Sequence, residues 1–239
     1  MQRVQKSLSG YLTQEQVAWI LRDREINCVL DVGANVGQFG RSLRRSGYTG
    51  RIVSFEPVSH MAARLRAAAE SDPDWHVFEF ALGDDPGELE INIAHGNKKN
   101  LGTMSSLLPP SEFGQMWSTK LRDLPTEVIT VRRLDSVFEE AVQGIADPRV
   151  YLKMDTQGYD LKAFAGAGQY LDKVLGLQSE VSCLPIYDGM PHMLDQLAAY
   201  EAAGFSPAGM YAVSRDRTSL RVIEFDIVMV KDKVSPVAP

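Results

Sequence analysis

Four short apolar runs in this chain each end in an acid, and a helical period follows each of them. The runs are NCVLDVG, RIVSFEP, RVYLKMD and KVLGLQSEV, and the acids are Asp31, Glu56, Asp155 and Glu180. Short runs that stay apolar without alternating read as strands buried on both faces. Strands of that kind alternating with helices predict a parallel sheet covered on both sides, an α/β fold. Ligands of such sheets sit at the carboxyl ends of the strands. One acid at a strand end is an ordinary helix cap or ion-pair residue, but several at the same sheet edge point to a site.

The remaining pattern fills in the sheet. The spacing predicts a helix over 13–24, with Thr13 and Gln16 as a capping box and Val17, Ile20 and Leu21 as its apolar stripe. Further helices are expected over 36–46, 58–70, 135–143, 159–166 and 192–203, the last with Leu194, Leu197 and Ala198 inward. WHVFEFALGD reads as a third strand, and ELEINIA and VITVRRL as extra strands. FSPAGMYAV and IEFDIVMVK close the chain, separated by a stretch too short for a crossover helix, so they should pair antiparallel. Residues 95–127 show no period and read as an insert.

The 31 acids and 25 bases give a net charge of −6, which argues against a nonspecific nucleic-acid partner. No run approaches the roughly 20 apolar residues that insert in a membrane, and MQRVQKSLSGYLTQEQ lacks the apolar core of a signal peptide. The expectation is therefore a cytoplasmic protein with Cys28 and Cys183 as free thiols. No H-x-x-H or C-x-x-C spacing suggests zinc, and no metal site is predicted. A divalent cation held by Asp155 with Glu180 or Asp188 stays as an alternative. The oligomeric state is open, and a homodimer is compatible with it.

The first loop, DVGANVG, narrows the ligand. Gly33 and Gly37 let the backbone turn and approach a ligand closely. A pyrophosphate-binding loop needs G-x-G-x-x-G, but Asn35 and Gln38 stand at the second and third glycine positions. Asp31 at the strand tip would repel a phosphate and suits a cationic group. Glu56 at the next tip can accept two hydrogen bonds from a ribose diol. A ribose, a cationic amino-acid end and no phosphate describe S-adenosylmethionine, with S-adenosylhomocysteine as product. A nicotinamide-dependent oxidoreductase on a similar sheet is the alternative, and the missing glycines argue against it.

These residues also carry a family resemblance. DVGANVG, FEPV, ALGDDPGELEI, RRLDSVF and LKMDTQGYDLKAFAGAG, in this order over roughly 26–232, resemble the FkbM family of class I S-adenosylmethionine-dependent methyltransferases. The resemblance implies a Rossmann-like sheet of seven strands with helices on both faces, and O-methylation of a hydroxyl on a sugar, glycolipid or polyketide-type product. It implies that Asp31, Gly33, Ala34, Asn35 and Gly37 line the methionine end of the cofactor. Glu56 and Pro57 fall at the ribose, Ala81 and Leu82 at the adenine, and Asp155 beside the cofactor's methyl group. The family pattern carries an acid where this chain has Gln157. That departure keeps a third reading open, a noncatalytic cofactor-binding module.

An alcohol is a weak nucleophile, and a general base speeds its reaction roughly 10²–10⁴-fold. Asp155 ranks first, then Glu180, then His192; His60, beside Glu56, reads as structural. A small-molecule or glycoside acceptor should meet Asn100, Ser105, Ser106, Trp117, Tyr159 and Tyr187, whose rings and hydroxyls suit a polyhydroxylated ring. Met104, Met116 and Met190 would suit an apolar aglycone or serve ordinary packing. The expected organisation is one domain: a cover helix (1–25), a cofactor half (26–94), an acceptor insert (95–127), a catalytic half (128–233) and a disordered tail (234–239).

Overall fold

The structure, a computed structural model, describes residues 2–94, 103–216 and 218–231, with side chains from Leu8 onward. In chain order its elements begin with α1 (Gln2–Asp23), β1 (Cys28–Val32), α2 (Gln38–Arg45), β2 (Arg51–Phe55), α3 (Ser59–Ala69), β3 (Trp75–Phe78), β4 (Ala81–Leu82) and β5 (Gly87–Asn92). They continue with α4 (Glu112–Trp117), β6 (Thr126–Arg132), α5 (Phe138–Ala141), β7 (Val150–Met154), α6 (Asp160–Ala165), β8 (Val174–Ser182), α7 (Met193–Ala202), β9 (Phe205–Arg215) and β10 (Val222–Lys231).

Seven strands form one sheet in the order β3-β2-β1-β7-β8-β10-β9. Only β10 runs against its neighbours, and it pairs antiparallel with β8 and with β9. The parallel sheet with an antiparallel end pair is what the strand pattern predicts, and its seven strands in a Rossmann-like arrangement are what the resemblance implies. Every residue of β1 and β7 is buried, as central strands covered on both faces require. Alternate side chains feed two cores. Leu30, Val32, Phe55, Leu152, Met154, Leu177 and Ile227 pack with Phe138, Phe164 and Tyr200 on one face. Val29, Ile52, Tyr151 and Val228 pack on the other against Val17, Ile20 and Leu21 of α1, Leu43 of α2 and Leu65 of α3.

Four elements differ from the sequence reading. Helix α1 starts about ten residues early, because Thr13 is not a cap: its hydroxyl donates to the Ser9 carbonyl one turn back, 2.9 Å away. Leu8, Tyr11 and Leu12 face solvent, so no inward stripe marks residues 8–12. WHVFEFALGD makes two strands in two sheets: β3 edges the large sheet, while β4 pairs with β6 in a small sheet ordered β4-β6-β5. The break falls where Phe55, Phe78 and Phe80 bring their rings together. Strand β8 continues past Glu180 to Ser182. Helix α7 buries Gln196 and Tyr200, not Leu194, which is 62% exposed, or Ala198. Tyr200 is drawn in by Ser179, whose hydroxyl lies 2.9 Å from its own.

The described part of the insert is built onto the sheet. Ser111 caps α4 by accepting the Gly114 N–H, and Leu121 packs with Ile186, Tyr187 and Ile223. Residues 95–102, with Asn100, and the tail from 232 lie outside the described residues. No helix among the described residues is long and apolar enough to cross a membrane. Cys28 and Cys183 are both free thiols.

Candidate active site

The carboxyl ends of β1, β2, β7 and β8 open into a cleft of about 600 Å³, closed on its far side by the insert. Glu56 stands on its wall, directly after β2. The Asn35 N–H donates to Glu56 Oε2 (2.7 Å) and the Val58 N–H to Oε1 (3.0 Å). The carboxylate thus ties the β1 loop to the start of α3, and each oxygen keeps a lone pair for a ligand. Burial pushes this carboxyl up to about 7, against the pull of those two N–H groups. Beyond Glu56 the wall turns apolar, with Pro57, Val58, Met61, Ala81, Leu82 and Ile91.

Asp31 is different. It is fully buried and not part of the cleft's lining, and the cation it pairs with belongs to the chain itself. Sheet register sets Asp31 beside Lys153, and Lys153 Nζ lies 3.1 Å from Asp31 and 3.5 Å from Asp155. Burial works against a charge on Lys153, but Asp31 and Asp155 outweigh it and hold the ammonium well above its ordinary range. The two glycines also serve the protein first. A Cβ on Gly33, at φ +76°, would sit 2.2 Å from the Asp155 carbonyl oxygen, so only glycine lets the β1 and β7 loops touch. Gly37 lies off the cleft, with Leu65 and Trp75 where its Cβ would be. Ala34 and Asn35, at φ +50°, complete the loop on the cleft wall.

Asp155 follows β7 and leaves 42% of its side chain exposed to the cleft. It does not cap α6, whose start carries no side-chain cap; Asp160, fully buried at the first position of that helix, instead ties the loop before it to β8 by accepting the Thr156 N–H (2.8 Å) and the Ser179 hydroxyl (2.7 Å). Gln157 explains the departure from the family acid. Its Nε2 donates to Asp155 Oδ1 (3.0 Å) and to Glu180 Oε2 (2.6 Å), so one neutral amide holds both carboxylates. Gln157 sits at φ +55°, and the Ser106 hydroxyl fixes it by donating to its carbonyl at 2.7 Å. The Tyr187 hydroxyl lies 3.1 Å from Gln157 Oε1 and 2.7 Å from the Met104 carbonyl, with one proton to donate between them. Enclosure by protein, with Glu224 and Asp155 nearby, pushes the Glu180 carboxyl well above its usual range.

The cleft therefore gathers Gly33, Ala34, Asn35, Glu56, Pro57, Ala81, Leu82, Asp155 and Glu180, together with Ser105, Trp117 and Tyr159. It does not gather His192, which is exposed and caps α7 by accepting the Leu194 N–H at Nδ1. Ser106 and Tyr187 are buried behind the wall and support Gln157. Met104 lines the cleft, Met116 is 67% exposed, and Met190 accepts the Ile186 N–H at its sulfur. Sequence reading passed over Lys153, Gln178, Ser214, Glu224 and Asp226, all on the wall. The signal was there: a lysine inside VYLKM, a glutamine inside VLGLQSEV, and two acids two apart in IEFDIV put polar groups on one strand face. Among the described residues no group of three or more His, Cys, Asp or Glu is spaced to hold a metal ion.

Comparison with known proteins agrees with this geometry. The Methyltransferase FkbM domain matches residues 31–207. The 2-O-methyltransferase NoeI of Sinorhizobium fredii (strain NBRC 101917 / NGR234) is 26% identical over 212 residues, covering 87% of this chain and 85% of that one. Among solved structures, a putative methyltransferase from Thermobifida fusca YX superposes with a TM-score of 0.53 at 11% identity, covering 95% of this chain and 82% of that one. A putative S-adenosylmethionine-dependent methyltransferase from Listeria monocytogenes superposes at 0.50 with 8% identity, covering 95% and 100%. The match spans both the loop after β1 and the Asp155 loop, and the chain belongs to the FkbM methyltransferase family.

Proposed function

We propose that this methyltransferase binds S-adenosylmethionine across the β1 and β2 tips and methylates a hydroxyl of a small-molecule acceptor, a sugar, glycolipid or polyketide-type compound. The residues present fit that cofactor. Glu56 offers ionisable oxygens at the height of a ribose diol, the apolar wall from Val58 to Ile91 suits adenine, and the loop at Gly33–Asn35 leaves room for an amino-acid end. When bound, the cofactor supplies a methyl carbon on a sulfonium, which leaves as a neutral thioether once the carbon is bonded to oxygen.

The chain's own part is to aim an oxygen and remove its proton. Asp155 takes the hydroxyl proton on its carboxylate, held by Gln157 on one side and Lys153 on the other. Glu180 is the second wall of the acceptor position, and Trp117, Tyr159 and Ser105 line the approach. The observation that carries this reading is the pair of carboxylates bonded to one amide nitrogen at adjacent strand tips, beyond the Glu56 pocket. The name of the NoeI relative supports oxygen as the methylated atom. The test is incubation with S-adenosylmethionine labelled with ¹³C in its methyl, against glycosides and polyketides. New O-methyl carbon resonances support the reading; N- or C-methyl signals, or none from protein that binds the cofactor, reject it.

A further inference from the structure

Past Asp155 the cleft continues over β8 and β10, and its wall there is made of acceptors. Glu180 of β8 stands directly opposite Asp226 of β10, and Gln178 lies two residues before Glu180 on the same strand face. Like charges facing each other across a strand pair repel. Burial, reinforced by Asp155, pushes the Asp226 carboxyl up to about 7, even though Gln178 donates a hydrogen bond to it. That bond uses the Gln178 amide nitrogen. The amide oxygen receives no hydrogen bond, although Gln178 is only 8% exposed and lines the cleft. A buried carbonyl without a donor costs about 1–3 kcal/mol. Lys153 sits beside Gln178 in register but is already paired with Asp31 and Asp155.

We propose that Gln178, Glu180 and Asp226 form a receptor for a primary ammonium group, so that the hydroxyl compound methylated here also carries a free amine. The inference rests on the O-methyltransferase reading and deepens it. An ammonium has three N–H donors and no acceptor, and this corner offers an amide oxygen and two carboxylates. A neutral hydroxyl would satisfy Gln178 but leave Glu180 and Asp226 facing each other, their repulsion relieved only by holding a proton; a cation satisfies Gln178 and lets both acids ionise. Calcium and magnesium need about six oxygens arranged around them, and the described residues hold no group spaced for a metal. The cofactor's own cation falls elsewhere. Strands lie about 4.8 Å apart, and β10 is separated from β1 by β7 and β8, which puts Asp226 about 14 Å across the sheet from the first loop.

The probes are three p-nitrophenyl β-glycosides: the 2-amino-2-deoxyglucoside, its N-acetyl form and the plain glucoside. Each is titrated calorimetrically into protein saturated with S-adenosylhomocysteine. The amine should bind at least about 10-fold more tightly than the other two. Asp226→Asn and Gln178→Met should each reduce that preference at least about 5-fold while leaving affinity for S-adenosylhomocysteine unchanged, which shows that the variants are folded. Equal binding of the three probes, no binding of the amine, or a preference surviving in both variants would overturn the receptor. Methyl transfer from labelled cofactor is scored separately. Selective amine binding without transfer to any hydroxyl would fault the O-methyl reading and still uphold the receptor.

Discussion

Glu56 shows how one side chain serves fold and ligand together. Its two N–H partners make it a tie between the first loop and α3, the ordinary capping task of an acid at that place. The same two bonds fix its oxygens for a diol. Charged hydrogen bonds are worth about 1.5–3 kcal/mol each, so Glu56→Ala should weaken S-adenosylmethionine at least ~10-fold, equivalent to ~1.4 kcal/mol. Calorimetry on the folded variant checks this, and unchanged affinity removes Glu56 from the ribose. A pH effect should accompany it. In the free protein Glu56 titrates near 7, raised by burial. A diol donating to the carboxylate favours the charged form, so binding drives off a proton wherever the free group still holds one. Affinity should therefore fall about 10-fold from about pH 8 to about pH 6, and that slope should vanish in Glu56→Gln. An equal slope in both proteins would assign it to another group.

At the scale of elements, the central contact is between the loops that follow β1 and β7. Gly33 packs against the Asp155 carbonyl so closely that any Cβ collides with backbone, and its φ of +76° disfavours other residues as well. Gly33→Ala should cost at least about 2 kcal/mol, the sum of left-handed strain and a shifted loop, seen as a lower melting temperature. Because the displaced atom belongs to Asp155, turnover should fall further than cofactor affinity. A variant melting like wild type would show that the loops are free to separate. The strands were legible because β1, β2, β7 and β8 are mostly apolar short runs with an acid at or near the carboxyl end of each. The part of α1 before Thr13 was hidden because Leu8, Tyr11 and Leu12 face outward, and the β3–β4 break because Phe78 and Phe80 read as one strand. At the site, the acids were visible one by one. The Lys153 pairing with Asp31 was not, since it depends on register between strands more than a hundred residues apart.

The molecule as a whole divides its cleft by strand position: Glu56 and the apolar wall on the β2 side, Asp155 and Gln157 at the centre, Gln178, Glu180 and Asp226 toward β10. Gln157 is what makes the centre a neutral clamp and not a cluster of three acids. The account stands on Asp155 being the group that receives the acceptor's proton. Asparagine keeps its shape and removes the base, while Asp160 continues to hold the Thr156 loop and the Glu56 pocket is untouched. The decisive measurement is the single-turnover rate of methyl transfer in Asp155→Asn, taken beside its dissociation constant for S-adenosylmethionine. The account predicts a rate at least ~10²-fold below wild type, within the general-base range, with cofactor affinity changed less than about 3-fold. A near-normal rate in that variant would contradict it.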